Sequence, residues 1–235
     1  MQLRQFDNIS EFWQKVQAYL LRHEAENNLV LGVLHTIKNN PERYPNPSDL
    51  VMVTKDNDIL AVAIRTPPRK LLLAKAADVA ALKLIAQYFH KQQIALPGFM
   101  GLVPEAENFG REWQNLTGQS SQVTVAMCIH QLTAIKLEKS IPGSLRLATE
   151  IDRSLLRQWI LAFRLDIGES LNEDVEQVIE SGLKRQEIYL WEDGHGLPVS
   201  IAAGRAAGSI ARIGLVYTPP EYRQQGYATA AVAAV

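Results

Sequence analysis

The sequence predicts an α/β fold of the α+β kind, built as two tandem lobes, each a mixed and mostly antiparallel sheet flanked by helices. Three observations carry this. Apolar residues alternate between helical spacing and period two along the chain, and the second half reads strand, two helices, then an antiparallel meander. The halves also echo each other at one offset of 137 residues, which pairs Asp56 with Asp193, Leu60 with Leu197, Val62 with Val199 and Ile64 with Ile201. Finally, Lys136–Gly143 is charged and then Pro- and Gly-bearing, a boundary that gives lobes of 1–138 and 143–235.

In the first lobe, Ile9, Phe12, Trp13, Val16, Tyr19 and Leu20 share a helical face. Asn8 followed by Glu11 has the form of a capping box, so a helix is expected over 9–22. A second helix covers Leu29–Ile37 and stops before Asn39-Asn40-Pro41. Leu50–Thr54 and Ile59–Ile64 flank Lys55–Asp58 as a hairpin, and Pro67-Pro68 turns the chain into Leu71–Leu73. Then come a helix through Val79, Leu82, Ile85 and Phe89, a strand Phe99–Val103, a helix Ala106–Leu116 and a strand Val123–Ile129.

The second lobe opens with a short strand at Leu145–Leu147. Leu155, Leu156, Trp159, Ile160 and Phe163 mark one helix, and Val175, Val178, Ile179 and Leu183 another. Asn172 caps the latter, with Glu173 and Asp174 in its first turn and Lys184 and Arg185 in its last, as the helix dipole favours. Strands Ile188–Trp191, Val199–Ala203 and Ile210–Tyr217 follow, with turns at Asp193-Gly194 and Gly208.

Composition removes several function classes. Of 235 residues, 47% are hydrophobic and 21% charged, as in a globular protein with a full core. The net charge of −1 leaves no basic excess for phosphate neutralisation, which argues against nucleic acid. One cysteine, Cys128, offers neither a disulfide nor a zinc cluster and suits a reducing, cytoplasmic setting. Histidines 23, 35, 90, 130 and 195 lack ligand spacing, so no metal is expected. No apolar run reaches the ~18 residues of a membrane span, and no leader-like apolar core follows Met1–Phe6.

The chemistry concentrates at the end of the chain, where Ile210–Val235 reads IARIGLVYTPPEYRQQGYATAAVAAV. A strand runs into Thr218-Pro219-Pro220, and Arg223-Gln224-Gln225-Gly226-Tyr227-Ala228 then opens an Ala-rich helix. Unpaired N–H groups and partial positive charge at such an opening suit a diphosphate, and glycine allows close approach.

The pattern [Q/R]-x-x-G-x-[G/A] after a strand and before a helix resembles the pyrophosphate loop of GNAT-superfamily N-acetyltransferases, with Arg223, Gly226 and Ala228 at its fixed positions. The approach Val216–Arg223, V-Y-T-P-P-E-Y-R, is similar to a common variant, and the order of elements across Ser144–Val235 matches the superfamily. The first lobe resembles a diverged copy, without glycine between Lys70 and Leu96.

The resemblance implies acetyl-CoA as cosubstrate. Backbone N–H groups of Gln224, Gln225, Gly226, Tyr227, Ala228 and Thr229 would bind its diphosphate. Main-chain groups of Leu215, Val216 and Tyr217 would hold the pantetheine arm and polarise the thioester carbonyl. It further implies direct attack by a small amine or an exposed amino group, so Cys128 reads as a buried small residue and not a nucleophile. Glu169, Glu187 and Glu192 are the conceivable bases, set against a solvated surface role. Tyr222 and Tyr227 line the pocket or pack beside the loop. Arg223 meets phosphate or ties the loop through a carboxylate such as Glu221. Phe163–Gly168 borders the acceptor site or is a plain helix corner, and His195 belongs to a turn. A phosphate-loop nucleotidase is excluded, since no G-x-x-x-x-G-K-[ST] run occurs. The resemblance also implies a further strand and helix, bearing an Asn and an acid Tyr, after the diphosphate helix. The sequence stops at Val235, about eight residues into that helix, which reads as an incomplete domain. The sheet edge so exposed invites self-association, and a non-enzymatic CoA- or partner-binding module is the rival reading.

Overall fold

The computed structural model describes residues 1–44, 46–135, 140–168, 175–207 and 210–235. They form two compact units, Met1–Gln131 and Leu132–Val235.

The first unit runs β1 (Gln2–Phe6), α1 (Ile9–Leu21), α2 (Asn28–Asn39), β2 (Asp49–Lys55), β3 (Asp58–Arg65), β4 (Leu71–Leu73), α3 (Leu82–Lys91), β5 (Phe99–Met100) and α4 (Val103–Thr117). Its sheet has the order β1-β2-β3-β4-β5, antiparallel except for the parallel β4–β5 pair, which α3 connects. Both faces are covered, so β2 and β3 read as continuous apolar runs. Leu50, Met52, Val62 and Ile64 meet α1 and α2 through Phe12, Val16, Leu20, Leu31 and Leu34. The alternate residues Val51, Val53, Ala61 and Ala63 meet α3 and α4 through Leu82, Ile85, Phe89, Phe109 and Trp113. Asp56 and Asn57, at φ +49° and +73°, make the two-residue turn that closes the hairpin.

Most expected elements are present, with corrections. Asn8 caps α1 by accepting from the amides of Ser10 (2.8 Å) and Glu11 (3.1 Å), but Glu11 pairs with Arg4, so only half of the capping box forms. The strand expected at Phe99–Val103 is only two residues long, because Pro104 favours a helix start and α4 already begins at Val103. Val123–Ile129 is not a strand. Alternation nominates a strand, but a ladder partner makes one. Here Val123, Val125 and Met127 are 80%, 64% and 69% exposed, and Cys128 is likewise exposed, not buried.

The second unit runs β6 (Ser144–Leu147), α5 (Arg153–Asp166), α6 (Val175–Lys184), β7 (Ile188–Glu192), β8 (Pro198–Ala207), β9 (Ile210–Tyr217) and α7 (Tyr227–Ala234). Its strands lie in sequence order, all antiparallel. Leu156, Trp159, Ile160 and Ile179 of α5 and α6 pack on Ile188, Leu190, Ile201 and Tyr217. On the opposite face Ala230 and Ala231 of α7 meet Trp191, Val199 and Ala202. Glycine at 204 leaves room for Val235, whose Cγ1 would lie 2.3 Å from any Cβ there. The expected cap Asn172, with Glu173 and Asp174, and the turn glycine Gly208 lie outside the described residues.

The units share the order strand, two helices, three-strand meander, helix, but the constant offset ends at the hairpin. Lys55 pairs with Asp58, whereas Glu192 pairs with Pro198, so the second turn is three residues longer. Leu197 therefore lies in that turn while Leu60 lies in a strand. The units correspond in topology and not in the residue echo. No described helix is long and apolar enough to cross a membrane.

One network at the base of the second unit has a pH signature. Arg146 donates to both oxygens of Asp152 (2.8 and 2.9 Å) and to Glu192 (2.6 Å). The guanidinium, opposed by burial and assisted by the Thr149 amide, holds the Asp152 carboxyl below its ordinary range. The folded state thus binds fewer protons than the unfolded chain near this group, so its stabilisation is present above pH ~4 and is lost as pH falls through the depressed value. Asp152→Asn is expected to lower stability at pH 7 by about 1.5–3 kcal/mol and to flatten the acid loss. Urea midpoints at pH 7 and pH 3 check both parts.

Candidate functional site at the end of the third meander strand

The site begins with a fault in the sheet. Ile201 faces Tyr217 and Ala203 faces Gly214, so one residue of β8 opposes two of β9, Leu215 and Val216. Leu215 takes φ +48° to make this bulge, which breaks regular pairing at the residues expected to hold a thioester arm. Since β9 is the edge of its sheet, its outer main-chain groups have no neighbouring strand among the described residues.

The end of β9 is pinned from below. Ser200, fully buried, donates from Oγ to the Tyr217 carbonyl (3.1 Å) and shares a hydrogen bond with the Thr218 hydroxyl (2.9 Å). The Tyr217 ring tilts against Trp159 at 6.4 Å between centroids. Thr218-Pro219-Pro220 then leave the sheet through a single helical turn, Pro220–Tyr222.

Beyond it the backbone twists into a concave run. Gln224 sits at φ +63° and Gly226 at φ +87°, and α7 starts at once. Alternating left-handed residues turn successive N–H groups toward one side, a geometry that receives anions. No described residue accepts a hydrogen bond from the amides of Gln224, Gln225, Gly226, Tyr227, Ala228 or Thr229; the first bonded amide of the helix is that of Ala230, to Gly226 O at 2.9 Å. Helix geometry explains the last four, and the left-handed turns the first two. Gly226 is required by its φ, and a Cβ there would lie 2.8 Å from Ile141 Cδ1.

The flanking side chains have partners within the unit. Arg223 donates from Nε to the Thr218 carbonyl (2.9 Å), pairs through Nη2 with Asp166, and lies 5.7 Å from the Tyr217 ring centroid. It ties the loop through a carboxylate, as one expectation had it, but the partner is Asp166 and not Glu221. The Asp166 carboxylate is also what holds the Arg223 guanidinium above its usual pKa. The same contact brings the α5 end of Phe163–Gly168 to the loop. Tyr222 and Tyr227 pack against the cluster of Trp191, Ala230 and Ala231.

Two of the conceivable bases are engaged. Glu187 receives Arg205 at 2.9 Å, and Glu192 receives Arg146. Glu169 lies outside the described residues. His195 is a turn residue: its amide and that of Leu197 both donate to the Asp193 carboxylate (2.8 and 2.9 Å), which keeps that carboxyl below its normal range. Ser200 escapes sequence reading, because a serine inside a strand carries no local signal, and Asp166 enters it only as a member of Phe163–Gly168, without a role of its own.

No protein-family model matches the chain, and no curated protein sequence matches it. Among solved structures it is similar to a GNAT-family acetyltransferase from Colwellia psychrerythraea, at 11% identity and a TM-score of 0.50, over 99% of this chain and 83% of that one. A conserved protein of unknown function from Enterococcus faecalis V583, described as a probable N-acyltransferase, aligns at 10% identity and a TM-score of 0.39, over 100% of this chain and 62% of that one. At such identities the likeness is one of fold: the chain has a GNAT-like fold.

Proposed function

We propose that the second unit is an acetyl-CoA-dependent N-acetyltransferase for a small amine or an exposed amino group. The observation that carries this reading is the row of amides from Gln224 to Thr229 at the mouth of α7, which have no acceptor among the described residues. Those amides receive the diphosphate, aided by the helix dipole. The bulged edge at Leu215–Tyr217 receives the pantetheine arm, and its main-chain groups polarise the acyl carbonyl. Bound acetyl-CoA supplies an activated acyl thioester. Arg223, through Asp166 and Thr218, holds the loop against α5 and leaves phosphate binding to the main chain. The neutral amine nitrogen attacks the acyl carbon, the C–N bond forms and the C–S bond breaks, and coenzyme A leaves as a thiolate that takes up the proton the nitrogen loses, so no nucleophilic side chain is needed.

A second reading, CoA binding without turnover, draws support from the pairing of Glu187 and Glu192 with arginines, which leaves neither free as a base. One experiment separates the two. The protein is incubated with acetyl-CoA and a panel of primary amines, and acetylated product and free thiol are measured alongside the thermal midpoint. Equal amounts of product and thiol support transfer. A ligand-raised midpoint without product supports binding alone, and neither response rejects both.

A further inference from the structure

We infer that each chain holds one acyl-CoA and not two, because the first unit seals its own counterpart of the diphosphate loop with three side chains. The inference rests on the assignment of the second unit's loop to acyl-CoA. In the first unit, Ala74–Ala81 leaves β4 and enters α3 at the place where 218–226 leaves β9 and enters α7. Its amides are spent with the exception of that of Val79; those of Ala80 and Ala81 donate to Asp78 Oδ1 (2.9 Å) and Asp78 O (3.0 Å). The Lys75 amide donates to Asn27 Oδ1 (2.8 Å), that of Ala76 to Glu105 Oε1 (2.9 Å), and that of Ala77 to Tyr19 OH (3.0 Å) and Leu60 O (2.8 Å). On either side, Ala74 donates to Val62 O and Asp78 to Leu60 O.

The three side chains are fixed in turn. Asn27, 1% exposed, donates to Leu20 O at 3.0 Å, and Tyr19 donates to Lys75 O at 2.7 Å. Glu105, 3% exposed, comes from the first turn of α4 and keeps its second oxygen without a hydrogen-bond partner among the described residues. An amide, a carboxylate and a phenol thus stand as acceptors for the amides of Lys75–Ala77.

Backbone shape agrees. No described residue between Asn57 and Gln93 has positive φ, so the first loop has no concave run to match Gln224 and Gly226. These features belong to this loop and are independent of the missing glycine in its sequence.

Calorimetric titration of the intact chain with acetyl-CoA is expected to give a stoichiometry of one, lost in Gly226→Glu. Two sites in the wild type, or one site surviving in Gly226→Glu, overturns the inference while leaving acyl-CoA binding intact. Zero sites in the wild type instead rejects the assignment of the second loop, and the inference falls with it. Amide hydrogen exchange on the wild type needs no variant to fold. Lys75–Ala77 are expected to exchange slowly without ligand and to be unmoved by it, whereas Gln224–Thr229 exchange fast and slow on addition. Protection gained at Lys75–Ala77 overturns the inference.

Discussion

Acetyl-CoA at a hundredfold excess over its dissociation constant is expected to raise the thermal midpoint of this protein by about 5–10 °C, and Gly226→Glu is expected to remove the rise. The wild-type figure follows from linkage: such an excess stabilises by ~2.7 kcal/mol, and each kcal/mol moves a chain of this size by roughly 2–4 °C. The variant acts at three points. Glutamate at φ +87° is strained by about 1–2 kcal/mol. Its Cβ presses on Ile141, and its carboxylate faces amides that would otherwise hold an anion. Gly226→Asn separates these effects, because asparagine tolerates the left-handed region and is uncharged. It keeps most of the ligand-induced rise at a lower starting midpoint. Differential scanning fluorimetry with and without acetyl-CoA measures all three proteins, and an undiminished rise in Gly226→Glu would remove the diphosphate from this loop.

Gly143→Ala is expected to destabilise the second unit by about 3–5 kcal/mol, combining a disfavoured backbone angle with overpacking. Gly143 has φ +127°, and an added Cβ would lie 2.0 Å from the Glu192 carbonyl oxygen and 2.7 Å from Trp191 Nε1. The nearer atom is backbone in the facing strand, so the first pair of the β6–β7 ladder, Ser144 with Glu192, must open. A loss of this size consumes much of a domain's usual 5–15 kcal/mol. It also reaches the site, because Trp191 packs on Ala230 and Ala231 of α7. Gly194→Ala is the control: only Pro142 Cβ, at 3.6 Å, would meet its added methyl. Urea unfolding followed by circular dichroism compares the two. A Gly143→Ala cost below ~1 kcal/mol would show that the ladder end is not so tightly closed.

The uncharged run Gln114–Ile135 shows where pattern reading stops. Val123, Val125, Met127 and Ile129 alternate as a half-buried strand should, but alternation reports which side chains share a face and nothing about a partner. The echo at 137 residues fails for a related reason. Identical residues at one spacing do not reveal three extra positions in a turn, and a shift in register moves every side chain relative to its ladder. Arg223 makes the same point within the site. Its place in the motif admits phosphate or carboxylate, and the choice of Asp166, 57 residues away, depends on where α5 ends.

Sequence alone determined most of the element order, though not the edge strand β1 or the absence of a strand at Val123–Ile129, together with the helices of each unit and the glycine that opens the last helix, because these depend on local spacing and backbone freedom. Tertiary structure alone decided which amides are free. The two loops occupy the same place in their units, yet one is filled by Asn27, Glu105 and Tyr19, drawn from distant elements, while the other has no described acceptor. Hydrogen bonds across such separations follow from how helices and strands pack, and packing is not written in any short stretch of residues.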